Sequence, residues 1–392
     1  MKKVLLVSKS FSPDQSVSSF RATRIAKALQ EYDWEPSVLT LSDGDAEEAL
    51  TNIHVERHDL PFAEVPPSKD AGIRWLPILL KRTSMLIKNE NFDLLYITGP
   101  PFPIFVLGPF IKSITGVPYV LDLRDPWSIG LKERDDSIFE KVFELLTIFG
   151  EPITFHYTDQ IIVNSPVMAD QYSEKYNKTK YNISKENLNS IRNGFERQDL
   201  VSRGHKERSF GEFQLIYPGK FRTSMEDVME GFRYFSREVS GGARFIHYGD
   251  MQGQYSGTVR KTVSRLRIED NVEFRGFVNR DVVLSSLDRA NVGIAVTREK
   301  DLTHVPMKIY DYIARDLPII VIDDTNGAAA RLVKQFKNGY AVSHGDSDSV
   351  LDVLLQLYQK RTSHLGDYRT RSKFSMSNRV SEVVDVFERS ID

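Results

Sequence analysis

Short runs of consecutive apolar, β-branched residues alternate along this chain with longer segments whose apolar positions recur at the helical period. Val4 to Val7 precedes a helical pattern from Ser19 to Tyr32, Leu94 to Thr98 precedes Ile104 to Ser113, and Tyr119 to Leu123 precedes Phe139 to Tyr157. Apolar runs of strand length separated by helices predict a parallel sheet wrapped by helices. Gln160 to Asn164 and Asn189 to Arg192 complete a first half that ends at Asn193-Gly194.

A polar stretch, Glu196 to Glu212, reads as a linker. The pattern then restarts with strands at Phe213 to Tyr217, Ala243 to Tyr248, Asn271 to Arg275, Asn291 to Val296 and Pro318 to Ile322. Helical patterns fill the gaps: Met225 to Glu238, Gly257 to Leu266, Arg280 to Leu287, Pro306 to Arg315, and helices beginning near Ala328 and Ser347. The expected architecture is α/β: a Rossmann-like domain over 1–195, a linker over 196–212, a second Rossmann-like domain over 213–375, and a C-terminal amphipathic helix over 376–392 that can pack back on the first domain. Doubly wound sheets bind ligands beyond the carboxyl ends of their strands. The informative residues therefore follow each strand.

Composition narrows the class. With 41% apolar and 27% charged residues, the 392-residue chain is globular and long enough for two cores. A formal charge of −2 gives no global field for nucleic acid. The absence of cysteine excludes disulfides and thiolate chemistry and fits a reducing, cytoplasmic compartment. The apolar start, Val4 to Val7, is cut by Ser8-Lys9-Ser10 too early for a signal peptide, and no apolar run reaches the length of a membrane span.

The most informative segment runs from Thr303 to Val321. Pro306 suits the first turn of a helix, whose amides at Met307 and Lys308 would face a phosphate. Lys308 carries a positive charge where the helix dipole disfavours it, which points to an anionic ligand. Asp311, three residues on, shares its face and lies within range of a ribose diol. The same residue types also suit a surface ion pair between Lys308 and Asp311.

This segment resembles the donor motif of family 4 of the retaining glycosyltransferases with the GT-B fold, in which two glutamates stand with seven residues between them. Asp311 matches the second, a ribose ligand in the family; Thr303 occupies the position of the first, which contacts the donor sugar. Pro306, Lys308 and Tyr310 match the family's helix start. Weaker likenesses follow in order: Val4 to Ser8 with Phe11-Ser12-Pro13, Thr98-Gly99-Pro100-Pro101, Gly116 to Trp127, Ile161 to Ser165, Ile191 to Phe195 and Val272 to Val278. The stretches around Thr98 and Trp127 are similar to members that build bacterial surface polysaccharides.

The resemblance implies two Rossmann-like domains facing a cleft, the first binding acceptor and the second a nucleotide-diphosphate sugar. Lys220 fits a phosphate-binding basic residue, Gly219 permits close backbone approach, and Arg222 adds charge. Gly276, Phe277 and Val278 correspond to the loop lining the nucleobase. Ser16, Val17 and Ser18 occupy the acceptor-side loop in place of the family's paired glycines. Asp125, with Arg124 beside it, follows a strand and would reach the acceptor; the two residues also suit a structural pair holding the turn before Pro126. Asp43-Gly44-Asp45 reads as a solvated turn and Asp346-Ser347-Asp348 as a helix N-cap.

The activity implied is retaining hexosyl transfer to a glycan or polyprenyl-linked acceptor, with the nucleotide sugar as substrate, no cofactor and no metal. An epimerase or hydrolase of the same architecture, and a non-catalytic nucleotide-sugar-binding partner protein, remain the alternatives. Residues 69–88, where Trp75, Lys81 and Arg82 flank an apolar pattern, suggest peripheral contact with an anionic membrane at the inner face of the plasma membrane. Pro77 argues against one long helix there.

Overall fold

The computed structural model describes residues 1–14, 17–41, 50, 52–59, 71–129, 138–177, 179–181, 183–201, 211–221, 223, 225–253, 255–360 and 364–392. The chain divides into two compact units, Met1–Arg192 with Arg379–Asp392, and Asn193–Asn378.

Unit 1 runs β1 (Lys2–Ser8), α1 (Val17–Leu29), β2 (Trp34–Thr40), β3 (His54–Arg57), α2 (Ala71–Glu90), β4 (Leu94–Gly99) and α3 (Leu107–Thr115). It continues through β5 (Tyr119–Leu123), α4 (Ile138–Leu145), a π turn (Leu146–Gly150), α5 (Glu151–Tyr157), β6 (Gln160–Val163), α6 (Pro166–Tyr176) and β7 (Leu188–Ser190). Unit 2 contains β8 (Phe213–Pro218), α7 (Glu226–Glu238), β9 (Ala243–Tyr248), α8 (Ser256–Leu266), β10 (Val272–Phe274), α9 (Arg280–Leu287) and β11 (Val292–Val296). After it come α10 (Lys308–Ala314), β12 (Ile319–Ile322), α11 (Ala328–Val333), β13 (Gly339–Val342), α12 (Ser347–Gln359), α13 (Tyr368–Ser372) and α14 (Met376–Ile391).

Every strand pair is parallel. The orders are β3-β2-β1-β4-β5-β6-β7 and β10-β9-β8-β11-β12-β13, so each sheet reverses direction of winding once, at β1/β4 and at β8/β11. The expected pair of doubly wound α/β sheets is what folds. Val4 to Val7, Leu94 to Ile97 and Ile319 to Ile322 are fully or almost fully buried, as strands covered on both faces require.

The segment expected as a linker is partly bonded into unit 2: Val201 N donates to Ala314 O at 3.0 Å, and Arg371 Nη2 to Val201 O at 3.0 Å. Residues 202–210 lie outside the described residues. From Arg379 onward α14 belongs to unit 1, where Phe387 meets the Trp34 and Tyr96 rings, each at 5.4 Å, and Trp34 Nε1 donates to Glu388 Oε1 at 2.8 Å. Asp346 caps α12 through Ser349 N at 3.0 Å, as its sequence suggests.

The surface segment expected at 69–88 is corrected. Residues 71–90 form one continuous helix, α2, despite Pro77, whose missing amide removes a single bond near its start while buried Trp75 and Leu79 fix the helix on both sides. Trp75 is fully buried in the unit 1 core, so it cannot insert into a bilayer. Arg82 is held by Glu56 in a two-pronged pair, Nε to Oε1 at 2.6 Å and Nη2 to Oε2 at 2.8 Å. The amphipathic pattern that suggested a membrane face is the pattern of a helix packed on a sheet. Among the described residues, no helix is long and apolar enough to cross a membrane.

Candidate functional site

In unit 2 the loops after β8, β9 and β10 are tied together through backbone. Gly219 N donates to Tyr248 O at 2.6 Å, and Gly249 N donates to Gly276 O at 2.8 Å. Gly219 has φ +97°, which a side chain would strain, and a Cβ on Gly249 would stand 2.7 Å from Gly219 O. Glycine at these two positions lets the turns stack at the strand ends. His247 braces them: its Nε2 lies 2.9 Å from Gly219 O, and its ring stacks on Phe221 with centroids 4.2 Å apart. Burial, reinforced by the charges of Lys308 and Arg260, pushes His247 down to about 4, so the ring is neutral at pH 7 and donates from Nε2.

Lys308 opens α10 and reaches this cluster. Its Nζ lies 3.1 Å from the centroid of the Tyr217 ring, and 3.8 Å from where a Cβ would stand on Gly219. Tyr312, one turn on, explains why α10 sits there: its buried ring fills the space left by Gly293, and its hydroxyl donates to Ile294 O at 2.8 Å and Ile216 O at 3.3 Å. Those carbonyls belong to β11 and β8, the two strands of the switch point. Tyrosine at this position docks the helix on the switch and thereby presents Lys308 to it.

Beside these loops lies an open concavity of about 680 Å³, lined by Lys220, Asp250, Met251, Gln252, Arg260, Phe274, Gly276 and Phe277. Lys220 Nζ lies 3.6 Å from Asp250 Oδ2; both are accessible, so the pair is weak and a stronger anion can replace the carboxylate. Phe277 is 86% exposed, an aromatic face with no packing to hold it. The Arg260 guanidinium lies over the Phe274 ring at 4.9 Å.

The structure therefore brings together Gly219, Lys220, Gly276, Phe277 and Lys308. Val278 is half-buried in the loop before α9. Pro306 is buried and Met307 half-buried; the helix begins at Lys308 rather than Pro306, with Ile309 N bonded to Pro306 O and Tyr310 N to Met307 O, both at 3.0 Å. Asp311 is paired with Arg280, whose Nη2 lies 2.7 Å from Asp311 Oδ1 and 2.9 Å from buried Asp199 Oδ2. Burial would lower Arg280, but Asp311 and Asp199 hold it above its ordinary value. Thr303 is buried, its hydroxyl directed at Asp301 Oδ1 at 3.4 Å. Arg222 and Ser16 lie outside the described residues.

Unit 1 holds the remaining candidates. Val17 and Ser18, expected in a loop, are the first residues of α1. Asp125 is exposed, two residues past β5. Arg124 is drawn inward: Nε donates to Gly99 O at 3.2 Å and Nη2 to Pro100 O at 2.9 Å, so its side chain holds the turn after β4. The Asp43-Gly44-Asp45 turn lies outside the described residues, and among those described no cluster of His, Asp or Glu is arranged to hold a metal ion.

Sequence reasoning missed His247, Arg260, Phe274, Arg280 and the buried Arg21–Asp122 pair of unit 1. His247 had a signal, a histidine in the apolar end of a strand two residues before Gly249. The others had none, because their partners are 14 to 101 residues distant in the chain.

Two family models match the chain, Glycosyltransferase Family 4 over residues 19–198 and Glycosyl transferases group 1 over residues 212–360. The chain belongs to the GT-B glycosyltransferases of family 4, group 1. Among solved structures it resembles a sucrose-phosphate synthase from Thermosynechococcus elongatus, at 13% identity and TM-score 0.74 over 99% of both chains. It also resembles Anabaena HepE in complex with UDP and glucose, at 15% identity and TM-score 0.69 over 99% of this chain and 100% of that one. The lipopolysaccharide outer core galactosyltransferase WaaB is similar at 12% identity and TM-score 0.65 over 99% of both chains. These likenesses are of fold. No curated protein matches the chain in sequence.

Proposed function

We propose that the chain moves a hexosyl unit from a nucleoside diphosphate sugar to a glycan or lipid-linked acceptor with retention, in the synthesis of a surface polysaccharide or glycoconjugate. The observation that carries this reading is the ammonium of Lys308 beside the bare backbone of Gly219, at the point where the winding of the second sheet reverses. A cation next to a backbone without side chain, beyond strand ends, suits a diphosphate. Lys220 supplies a second charge and Phe277 a face for a base. Asp311, oriented by Arg280, suits ribose hydroxyls.

The chemistry follows from charge. The bond between the anomeric carbon and the diphosphate oxygen breaks, and negative charge grows on the departing oxygen, where Lys308 and Lys220 stabilise it more than in the bound donor. The acceptor hydroxyl oxygen bonds to the anomeric carbon on the face the diphosphate leaves, and its proton passes to the departing phosphate oxygen. Unit 1 binds the acceptor, with exposed Asp125 orienting the hydroxyl. No protein nucleophile and no divalent ion has a role.

HepE is described with UDP and glucose, so UDP-glucose is the first donor to try. A binding donor raises the melting temperature; it should then be consumed only when an acceptor is present, in excess chelator as without it, giving a product of added hexose mass. Consumption without acceptor would make the chain a hydrolase or epimerase, and binding without consumption a non-catalytic partner; either result overturns the proposal.

A further inference from the structure

Seven of the thirteen exposed large hydrophobic residues among those described lie on one stretch of unit 1: Phe110, Ile114, Leu145, Ile148, Phe149, Ile153 and Tyr157. Their exposures run from 39% to 63%. Leu145, Phe149, Ile153 and Tyr157 recur every fourth residue, while Thr147, Glu151, Thr154 and Phe155 on the other side are buried. Phe110 and Ile114 form the matching pair on α3. The two helices lie side by side: a Cβ on Gly150 would stand 3.2 Å from Val106, and Lys112 Nζ donates to Tyr157 O at 3.2 Å. Side chains of this size, about half exposed, give an apolar area on the order of 600 Å², at the upper end for a soluble surface.

The surroundings of the patch say what covers it. The polar groups of α3 beside the patch are already used: Ser113 Oγ donates to Phe110 O, and Lys112 bonds Asp159 as well as Tyr157 O. Exposed Glu144 and His156 stand at the edge of the patch rather than within it. The edges are those of an interfacial surface. Exposed Lys141 flanks one end; at the other, the His156 ring meets those of Tyr157 and Tyr181, and Lys180 lies 4.8 Å over the Tyr181 ring. Apolar side chains bordered by tyrosines and lysines suit the boundary between acyl chains and anionic headgroups.

We infer that the exposed face of α3, the π turn and α5 docks unit 1 on a membrane surface rich in anionic lipid. This surface is independent of the donor site, so a failure of the donor reading leaves it untouched. Flotation of the full chain with phosphatidylcholine vesicles, with and without phosphatidylglycerol, tests it. Wild type should float with both, more strongly with the anionic lipid, and salt should erase the difference. Phe149→Asp with Ile153→Asp should cut binding to both by about tenfold or more. Lys141→Glu with Lys180→Glu should remove only the preference for anionic lipid, and Met85→Asp, on the exposed side of α2, should change nothing. All are surface changes, and circular dichroism checks that each variant is folded. The inference falls if wild type stays in the aqueous phase, if the double aspartate variant binds as wild type does, or if light scattering finds a dimer that this variant dissociates.

Discussion

The two units wind their sheets in the same order and then treat the strand ends in opposite ways. In unit 2 the ends of β8, β9 and β10 carry glycine turns, a neutral histidine and accessible cations beside a concavity. In unit 1 the strands beside the switch point, β4 and β5, instead carry a buried polar network. Buried Asp122 on β5 accepts from Arg21 Nε at 2.7 Å and Nη2 at 2.9 Å, from Tyr96 OH at 2.6 Å and from Thr98 Oγ1 at 3.0 Å. Arg21 also donates to Ile191 O at 3.1 Å and Arg192 O at 3.4 Å. Burial would push the Arg21 guanidinium down, but Asp122 holds it above its ordinary value. The charges of this network in unit 1 satisfy each other, whereas Lys220 and Asp250 beside the concavity of unit 2 stay accessible to solvent. Charge at a strand end signals a ligand only when no partner inside the fold consumes it.

The comparison breaks most visibly through Asp122. Asp122→Ala leaves the Arg21 charge buried without its carboxylate, which costs about 3–5 kcal/mol, and chemical denaturation should register that loss. An Asp122→Ala chain as stable as wild type would mean that the network is not what closes unit 1. His247 gives the next effect. Its folded pKa is depressed to about 4 against an ordinary value near 6.5, so the unfolded chain binds the extra proton first. Stability is therefore complete above pH 6.5 and falls as the pH drops toward 4, by up to about 3 kcal/mol. His247→Phe should flatten that slope in melts taken across the window.

How much of this was legible depended on whether the signal was local. Ten of the thirteen strands and the glycine turns follow from apolar runs and strand-end Gly219, Gly249 and Gly276, with boundaries shifted by a residue or two. β2, broken by Glu35 and Pro36, and the half-buried edge strands β3 and β13 lack such a run and were not legible. Trp75 misled because an amphipathic helix with a tryptophan has the same period whether it lies on a bilayer or on its own sheet; only the partner surface differs. Asp311 drew attention as a partner for Lys308 because both lie on α10, whereas Arg280, 31 residues away, is the cation that meets it. Long-range charge pairing has no period, so neither the Arg21–Asp122 network of unit 1 nor the Arg280 bridge could be read from spacing.

A smaller effect separates binding from stability in unit 2. Lys308→Ala removes a charge-assisted contact of roughly 1.5–3 kcal/mol, a tenfold to hundredfold loss of donor affinity, while Tyr312 keeps α10 docked and the melting temperature near that of wild type. Titration calorimetry with UDP-glucose and with UDP checks it. Equal loss for both ligands assigns Lys308 to the diphosphate; loss confined to the sugar nucleotide moves it to the hexose.

The smallest effect concerns the Lys220–Asp250 pair, and it discriminates most finely between a solvent-facing and a self-satisfied strand end. Both side chains are accessible at 3.6 Å, where ion pairs contribute about 0–1 kcal/mol. Asp250→Asn should therefore leave stability within about 0.5 kcal/mol, unlike the loss expected at Asp122. Its effect on the donor has the opposite sign. Asp250 lines the same concavity as Lys220, so the carboxylate competes with a phosphate for the ammonium and repels it. Neutralising it should tighten UDP-glucose severalfold, most at low ionic strength, where screening is least. Lys220→Ala should weaken the donor and make Asp250→Asn nearly silent in the double variant, a coupling that a mutant cycle measures. If Asp250→Asn instead weakens the donor, the carboxylate binds the ligand directly. The strand end of β9 would then be part of the recognition surface rather than a rival for its charge.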